Sequence, residues 1–199
     1  MSHGNLEDIP DDLPVPVDDG AAAHLVGAEL PDLSLRCTNG RDQSLRELTG
    51  RTVLFFYPRT GTPGQPPTLG FVGETWESIP GARGCTPQSI GFGRLTPGFG
   101  ELGVTVFGVS TQTTAFQREF QQRQQLGFEF LSDSELLLTH AMRLPTFDFP
   151  VESGGPNTLM RRMAWVVENK RIARVWYPVF PPGECAANVL AWLRENHVA

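Results

Sequence analysis

Runs of apolar residues along the chain predict a domain in which strands and helices alternate. Thr52–Tyr57 and Val104–Ser110 are nearly continuous apolar runs, which is typical of strands buried on both faces of a sheet. Thr113–Leu126 is polar and rich in Gln, with Phe116 and Phe120 four residues apart. This spacing predicts an amphipathic surface helix between the strands.

Shorter segments at both ends complete the pattern. Leu33–Cys37 alternates apolar and polar residues and is followed by Asn39-Gly40, a strong signal for a hairpin turn. Met163–Val167 and Ile172–Trp176 predict a second hairpin, and Gly183–His197 predicts a final helix. This order predicts an α/β fold with a central mixed sheet flanked by helices and an N-terminal hairpin.

Two segments interrupt the periodic pattern. Residues 1–24 are rich in Asp, Pro and Gly, which predicts a mobile acidic tail before a folded domain of residues 25–199. Residues 59–84 form a long Gly- and Pro-rich stretch with little regular structure. Loops of this length are usually functional or disordered.

Composition and charge narrow the function classes. The 199 residues fit one domain with extra segments, and a net charge of −6 argues against nucleic acid as a partner. The chain shows no long apolar run and no signal peptide, so we expect a cytoplasmic protein without a membrane partner. The four histidines are scattered without metal-ligand spacing, so no metal is expected.

The three cysteines of the chain, Cys37, Cys85 and Cys185, form no C-x-x-C motif and predict free thiols. Cys85 lies between the Gly-rich turn Gly81–Gly84 and a predicted helix start with Pro87 near its first position. The positive end of a helix dipole stabilises an anion such as a thiolate. A small buried apolar side chain is the alternative, and position alone leaves both open.

Two segments of the chain resemble the active site of the peroxiredoxins. In that family a strand runs into the pattern P-x-x-x-T-x-x-C, and the Cys opens a helix. Here Pro58 and Thr62 match, Gln65 occupies the Cys position, and Gly84–Ser89 resembles the segment that follows in the family. The chain therefore resembles the peroxiredoxin Q or bacterioferritin-comigratory branch, with an insertion of about residues 62–84 that splits the motif.

The resemblance implies a thioredoxin-like fold and a thiol-dependent peroxidase without a cofactor. By analogy, the Cys85 thiolate attacks a peroxide and becomes a sulfenic acid. Arg162 and the Cys85 backbone N–H are the expected donors to the developing negative charge, with the neighbouring Arg161 as the competitor. Pro58 is expected to shield the thiolate from water or simply to end its strand.

The split motif changes two further assignments. Thr62 is the matching threonine, but Thr86 or a backbone group could take its role. The local position for a second cysteine holds Ile90, which excludes local resolution of the sulfenic acid. Cys185, at the start of the last helix, is either the resolving thiol or an inert cysteine at the helix start, and Cys37 is expected to be structural.

The partners that follow are a peroxide and a thioredoxin-, glutaredoxin- or small-thiol-type reductant, for a monomer or homodimer. If neither Cys185 nor Cys37 acts, an external thiol would resolve the sulfenic acid. A thioredoxin-fold redox sensor or binding protein without turnover is the alternative. A general thiol-disulfide oxidoreductase is disfavoured because C-x-x-C is missing.

Gly98–Gly103 spells G-x-G-x-x-G but precedes a strand, so we expect a loop there rather than a dinucleotide site.

Overall fold

The computed structural model describes residues 12–61, 76–150 and 155–196. Thr62 and Gln65, and with them most of the predicted insertion, lie outside the described residues. The helices and strands are β1 Ser34–Cys37, β2 Asp42–Ser44, β3 Arg51–Phe56, α1 Cys85–Glu101, β4 Thr105–Ser110, α2 Thr114–Arg123, β5 Glu129–Ser132, α3 Leu137–Met142, β6 Thr146–Asp148, β7 Thr158–Met160, β8 Met163–Glu168, β9 Arg171–Trp176 and α4 Cys185–Glu195.

Within these ranges, seven strands form one mixed sheet in the order β2-β1-β5-β4-β3-β8-β9. The central strands β3, β4 and β5 are parallel, and the outer pairs are antiparallel. Strands β6 and β7 form a separate antiparallel pair. The predicted α/β class and the central mixed sheet are confirmed, and β3 is a buried inner strand between β4 and β8.

Side chains of β3 alternate between two apolar cores, one on each face of the sheet. Leu54 and Phe56 join the core that includes α3, whereas Val53 and Phe55 join the core that includes α1 and α4. This alternation follows from the pleat of a strand. Because both faces are covered, the continuous apolar run of β3 is buried along its length.

Both predicted hairpins are present in the structure. The turn at Asn39-Gly40 joins β1 to β2, with Gly40 at a φ of 88°. The turn at Asn169-Lys170 joins β8 to β9, and both residues have positive φ values of 49° and 64°. Such left-handed turns match the twist of paired strands, which is why short polar turns specify a hairpin.

The expected loop at Gly98–Gly103 is wrong, because α1 continues through Pro97 to Glu101. A proline in a helix removes a backbone hydrogen bond, so tertiary contact must stabilise this turn. Gly98 packs so closely on α4 that an added Cβ would lie 3.0 Å from Leu190 Cδ2. Packing, rather than local helix propensity, therefore stabilises this turn of α1.

Residues just before the predicted domain boundary at residue 25 contact the folded domain. Ala22 is 3% exposed and belongs to the core, and the Tyr177 hydroxyl donates a hydrogen bond of 2.9 Å to Asp19. Residues 1–11 of the predicted tail lie outside the described residues.

No helix among the residues that the structure describes is long and apolar enough to cross a membrane.

Candidate active site

The candidate site lies at the edge of the sheet where β3 ends and β8 begins. Phe56 pairs with Met163 in the antiparallel register, so Pro58 and Arg162 lie just beyond this pair at the same edge. Both residues are buried. The first residue of α1, Cys85, packs in the same apolar core as Tyr57.

A glycine brings the starts of two helices together here. Gly84 precedes α1 with a φ of 108°, a conformation that residues with a Cβ rarely adopt. An added Cβ would lie 2.9 Å from Pro182 Cβ and closer still to its Cγ. Pro182 begins the short 3-10 helix before α4, so this contact places the N-termini that carry Cys85 and Cys185 side by side.

The Cys85 sulfur is nearly buried and contacts a positive charge. Its residue is 4% exposed. Arg162 Nη2 donates to Cys85 Sγ at 3.3 Å, and the thiol in turn donates to the Ala82 carbonyl oxygen at 3.6 Å. The guanidinium and the helix N-terminus are both placed where they stabilise negative charge on this sulfur.

Arg162 is 2% exposed, and several acceptors hold its guanidinium. Its Nη2 also donates to the carbonyl oxygens of Gly81, Ala82 and Arg83 at 3.2, 3.0 and 3.2 Å. Its Nη1 donates to the side-chain oxygen of Gln88. These bonds fix the fork of the arginine against Cys85, which a flexible surface arginine would not achieve.

Cys185 lies on the other side of Gln88. The Gln88 side chain is fully buried, and its Nε2 donates to Cys185 Sγ at 3.6 Å. Burial raises the pKa of the Cys185 thiol to about 12, although the Gln88 hydrogen bond and the charge of Arg162 act in the opposite direction. Burial therefore favours the protonated thiol at Cys185.

A second arginine approaches the site from the end of β3. The Arg59 guanidinium lies 4.8 Å from the ring centre of Trp76 and 4.9 Å from that of Phe149. Burial lowers the pKa of Arg59, and negative charge at Cys85 raises it. Gly155 leaves room for this arginine, because an added Cβ would contact the guanidinium.

A cavity of about 210 Å³ borders the site at Gly81 and Arg162. Apolar side chains supply most of the remaining wall, and Val15 and Val17 reach it from the segment before the predicted domain. Arg161 also lines the cavity, and its guanidinium lies 5.7 Å from the ring centre of Phe147. A small molecule in this cavity could therefore approach Arg162.

The structure separates the predicted site residues into distinct places. Arg162, rather than Arg161, contacts the Cys85 sulfur. Thr86 is buried as the second residue of α1, and Cys37 packs in the core on the opposite face of the sheet. Cys37 is therefore remote from the other two thiols, in keeping with the structural role that we expect for it.

Two side chains of the site were missed by sequence reasoning. Gln88 follows Cys85 by three residues on α1, and this spacing places two side chains on one helix face. That spacing could have identified Gln88, whereas nothing local to Arg59 indicates that it faces Trp76 and Phe149. Among the described residues, no cluster of His, Cys, Asp and Glu side chains could hold a metal ion.

Comparison with known proteins finds a family model and relatives that match most of this chain. The family model described as Redoxin matches residues 25–190. Peroxiredoxin Q of the chloroplast of Oryza sativa subsp. japonica is 27% identical over 152 residues, which cover 76% of this chain and 58% of that protein. The chain thus spans less than two thirds of the length of this relative.

Two solved structures share the fold. Peroxidoxin BcpB from Mycobacterium tuberculosis superposes with a TM-score of 0.67 at 22% identity, covering 87% of this chain and 98% of that one. A bacterioferritin comigratory protein from Xanthomonas campestris, solved in a study of its alkyl peroxide reduction activity, gives a TM-score of 0.63 at 20% identity. It covers 94% of this chain and 100% of that one.

Proposed function

The chain belongs to the redoxin family, and from this premise we propose that it is a thiol-dependent peroxidase of the peroxiredoxin type with Cys85 as its reactive thiol. The observation that carries the proposal is the 3.3 Å contact between Arg162 Nη2 and Cys85 Sγ at the start of α1. The likeness to the Xanthomonas campestris protein, which was solved in a study of its alkyl peroxide reduction activity, supports the same reaction class.

The proposed reaction is a displacement at a peroxide oxygen. The Cys85 thiolate attacks one oxygen of hydrogen peroxide or an organic hydroperoxide, an S–O bond forms and the O–O bond breaks. The departing oxygen takes a proton and leaves as water or an alcohol, so Cys85 becomes a sulfenic acid. Sulfur is oxidised, the peroxide is reduced, and the thiolate supplies both electrons.

Arg162 has two roles in this proposal. It stabilises the attacking thiolate, and its Nη2 is the proposed donor to the negative charge that develops on the departing oxygen. The cavity that borders Arg162 and Gly81 is the proposed approach path for the peroxide. Pro58, buried beyond the end of β3, is proposed to keep water from the sulfur.

The role of the motif threonine in positioning Cys85 falls to Thr62, to Thr86 or to a backbone group. Thr62 lies outside the described residues, and Ala82, three residues before Cys85, carries no hydroxyl. The Ala82 carbonyl contacts the Cys85 sulfur and Arg162 instead. We therefore assign the positioning role in the described part of the site to this backbone group.

Cys185 is the proposed resolving thiol. The hydrogen bond from Gln88 to its sulfur and the packing of Gly84 on Pro182 hold it in the neighbourhood of Cys85. A one-cysteine scheme with an external thiol is the competing proposal, and mass spectrometry after one equivalent of peroxide separates the two. A Cys85–Cys185 disulfide supports the first scheme, and a persistent sulfenic acid supports the second.

The reductant, the assembly and the compartment are proposals as well. A thioredoxin-, glutaredoxin- or small-thiol-type donor would regenerate Cys85, in a monomer or homodimer. The cytoplasm is the proposed compartment, because the three cysteines are free thiols, as is usual for a reducing compartment. Coupled assays with each reductant class, gel filtration and cell fractionation test these three points.

The second candidate function is a redox sensor without turnover. The observation that favours it is burial: Cys85 is 4% exposed, and the three carbonyl oxygens of residues 81–83 hold Arg162 in place. A sensor would react with one equivalent of peroxide and stop. A peroxidase would continue as long as dithiothreitol is supplied.

The test is peroxide consumption with dithiothreitol by the wild type, Cys85→Ser and the matched control Cys37→Ala. We expect the wild type and Cys37→Ala to consume many equivalents and Cys85→Ser to consume none above buffer. One equivalent consumed by the wild type would favour the sensor. Equal consumption by Cys85→Ser would refute the assignment of Cys85.

A further inference from the structure

A single buried amide connects the two thiols of the site. Gln88 Oε1 accepts a hydrogen bond from Arg162 Nη1, and Gln88 Nε2 donates to Cys185 Sγ at 3.6 Å. Arg162 Nη2 contacts Cys85 Sγ at 3.3 Å. Polar contacts therefore run without interruption from Cys85 through Arg162 and Gln88 to Cys185.

The orientation of the Gln88 amide is fixed by its neighbour. A guanidinium has only donors, so the amide atom that faces Arg162 must be the oxygen. The NH₂ group then faces Cys185, and a flipped amide would set two donors against each other. Because Gln88 is fully buried, water cannot compensate for such a flip.

We propose that Gln88 is a positioning residue that prepares Cys185 for attack on oxidised Cys85, by holding an N–H donor against the Cys185 sulfur. The inference rests on the proposed function, because the attack requires a sulfenic acid on Cys85. In this step the Cys185 thiol gives up its proton and its sulfur forms a bond to the Cys85 sulfur. The S–O bond of the sulfenic acid breaks, and the oxygen leaves as water with that proton.

The charges of the site favour this order of events. In the proposed reaction, the positive charge of Arg162 first stabilises the attacking Cys85 thiolate. Oxidation makes Cys85 a neutral sulfenic acid, and the positive charge of Arg162 is then available to favour ionisation of Cys185 through Gln88. Burial raises the pKa of Cys185 to about 12, and the two groups that oppose this effect are Gln88 and Arg162.

The test replaces the amide with a carboxylate of the same length. Gln88→Glu still accepts from Arg162, but it presents an oxygen instead of an N–H to Cys185 and repels the thiolate. The full chain is mixed with one equivalent of hydrogen peroxide, and the sulfenic acid and the disulfide are followed separately by mass spectrometry. We expect the conversion of sulfenic acid to the Cys85–Cys185 disulfide to slow by about tenfold to a hundredfold, since hydrogen bonds to charged groups have this size.

A readout beyond rate separates positioning from structure. We expect the pH at which disulfide formation reaches half its maximal rate to be higher in Gln88→Glu than in the wild type. Gln122→Glu, on the exposed face of α2, introduces the same charge away from the site and should match the wild type. If Gln88→Glu does not fold, Gln88→Met takes its place, because it has a similar length and lacks the amide.

The outcomes distinguish a failure of the Gln88 inference from a failure of the proposed peroxidase function. A wild-type rate and pH profile of disulfide formation in Gln88→Glu, or in Gln88→Met if that variant is used, overturns the inference. A wild type that forms the sulfenic acid but never the disulfide also overturns it, while the proposed peroxidase stands. A wild type that forms no sulfenic acid at Cys85 removes the proposed function and the inference together.

Discussion

Replacing Arg162 with lysine is the sharpest test of how the site stabilises negative sulfur. In the wild type, one planar group contacts Cys85 Sγ and three carbonyl oxygens through Nη2 and reaches Gln88 through Nη1. A lysine keeps the charge but has one ammonium nitrogen on an unbranched chain, so it cannot occupy both positions. Arg162→Lys therefore removes the geometry and keeps the sign of the charge.

The size of the effect follows from the contacts that are lost. Removal of one aimed donor to a developing oxyanion costs about a hundredfold to a thousandfold in rate. We expect the second-order rate constant for Cys85 oxidation by hydrogen peroxide to fall by this factor. The free energy of unfolding should also fall by about 1–3 kcal/mol, because the buried oxygen of Gln88 and the carbonyls of residues 81–83 lose donors.

The assay is rapid mixing with peroxide, quenching at set times and intact-protein mass spectrometry, with unfolding by urea measured in parallel. The matched comparison is Arg161→Lys, since the Arg161 guanidinium lies over the ring of Phe147. Its loss of rate should be at least tenfold smaller. If Arg162→Lys is oxidised at the wild-type rate, or if the two variants lose rate equally, the reasoning is refuted.

Three further predictions concern packing, pH and charge. Gly84→Ala should lower the free energy of unfolding by about 2–5 kcal/mol, because it combines a positive φ with a clash on Pro182. Gly100→Ala has open space around it and should not destabilise α1. Urea titrations check both variants, and a Gly84→Ala protein as stable as the wild type would contradict the packing argument. The raised pKa of Cys185 means that the unfolded thiol loses its proton before the folded one as the pH rises above 9.0. The free energy of unfolding should therefore fall by about 1 kcal/mol between pH 9 and pH 10 because of this group. An equal dependence of the unfolding free energy on pH in Cys185→Ala would disprove the prediction. Arg59→Met removes a positive charge that interacts with Cys85, and iodoacetamide alkylation of Cys85 at pH 7 should slow by about threefold to tenfold; an unchanged rate, measured with Cys37→Ala as the control background, would exclude the interaction.

The site depends on the contact between two helix starts. Gly84 and Pro182 touch, and each is followed within a few residues by a cysteine that opens a helix. Gln88 and Arg162 then fill the space between these cysteines with polar contacts. A change at Gly84 should therefore affect both the stability of the fold and the distance between the two thiols.

The sequence by itself determined what depends on neighbours in the chain. The apolar run of β3, the hairpin turn at Asn39-Gly40 and the start of a helix at Cys85 are local, because strand burial, turn conformation and helix capping are decided within a few residues. The order of strands and helices predicted the α/β fold, which the structure confirms, and the family resemblance added the proposed reaction class.

Only the tertiary structure decided which side chains meet. Arg161 and Arg162 are adjacent, and no local feature tells which one faces a sulfur that lies 77 residues earlier than Arg162. The contact of Gln88 with Cys185 spans 97 residues, and α1 continues past Pro97 because α4 packs on Gly98. Such contacts depend on the packing of distant elements, and this packing fixes the orientation of each side chain in the site.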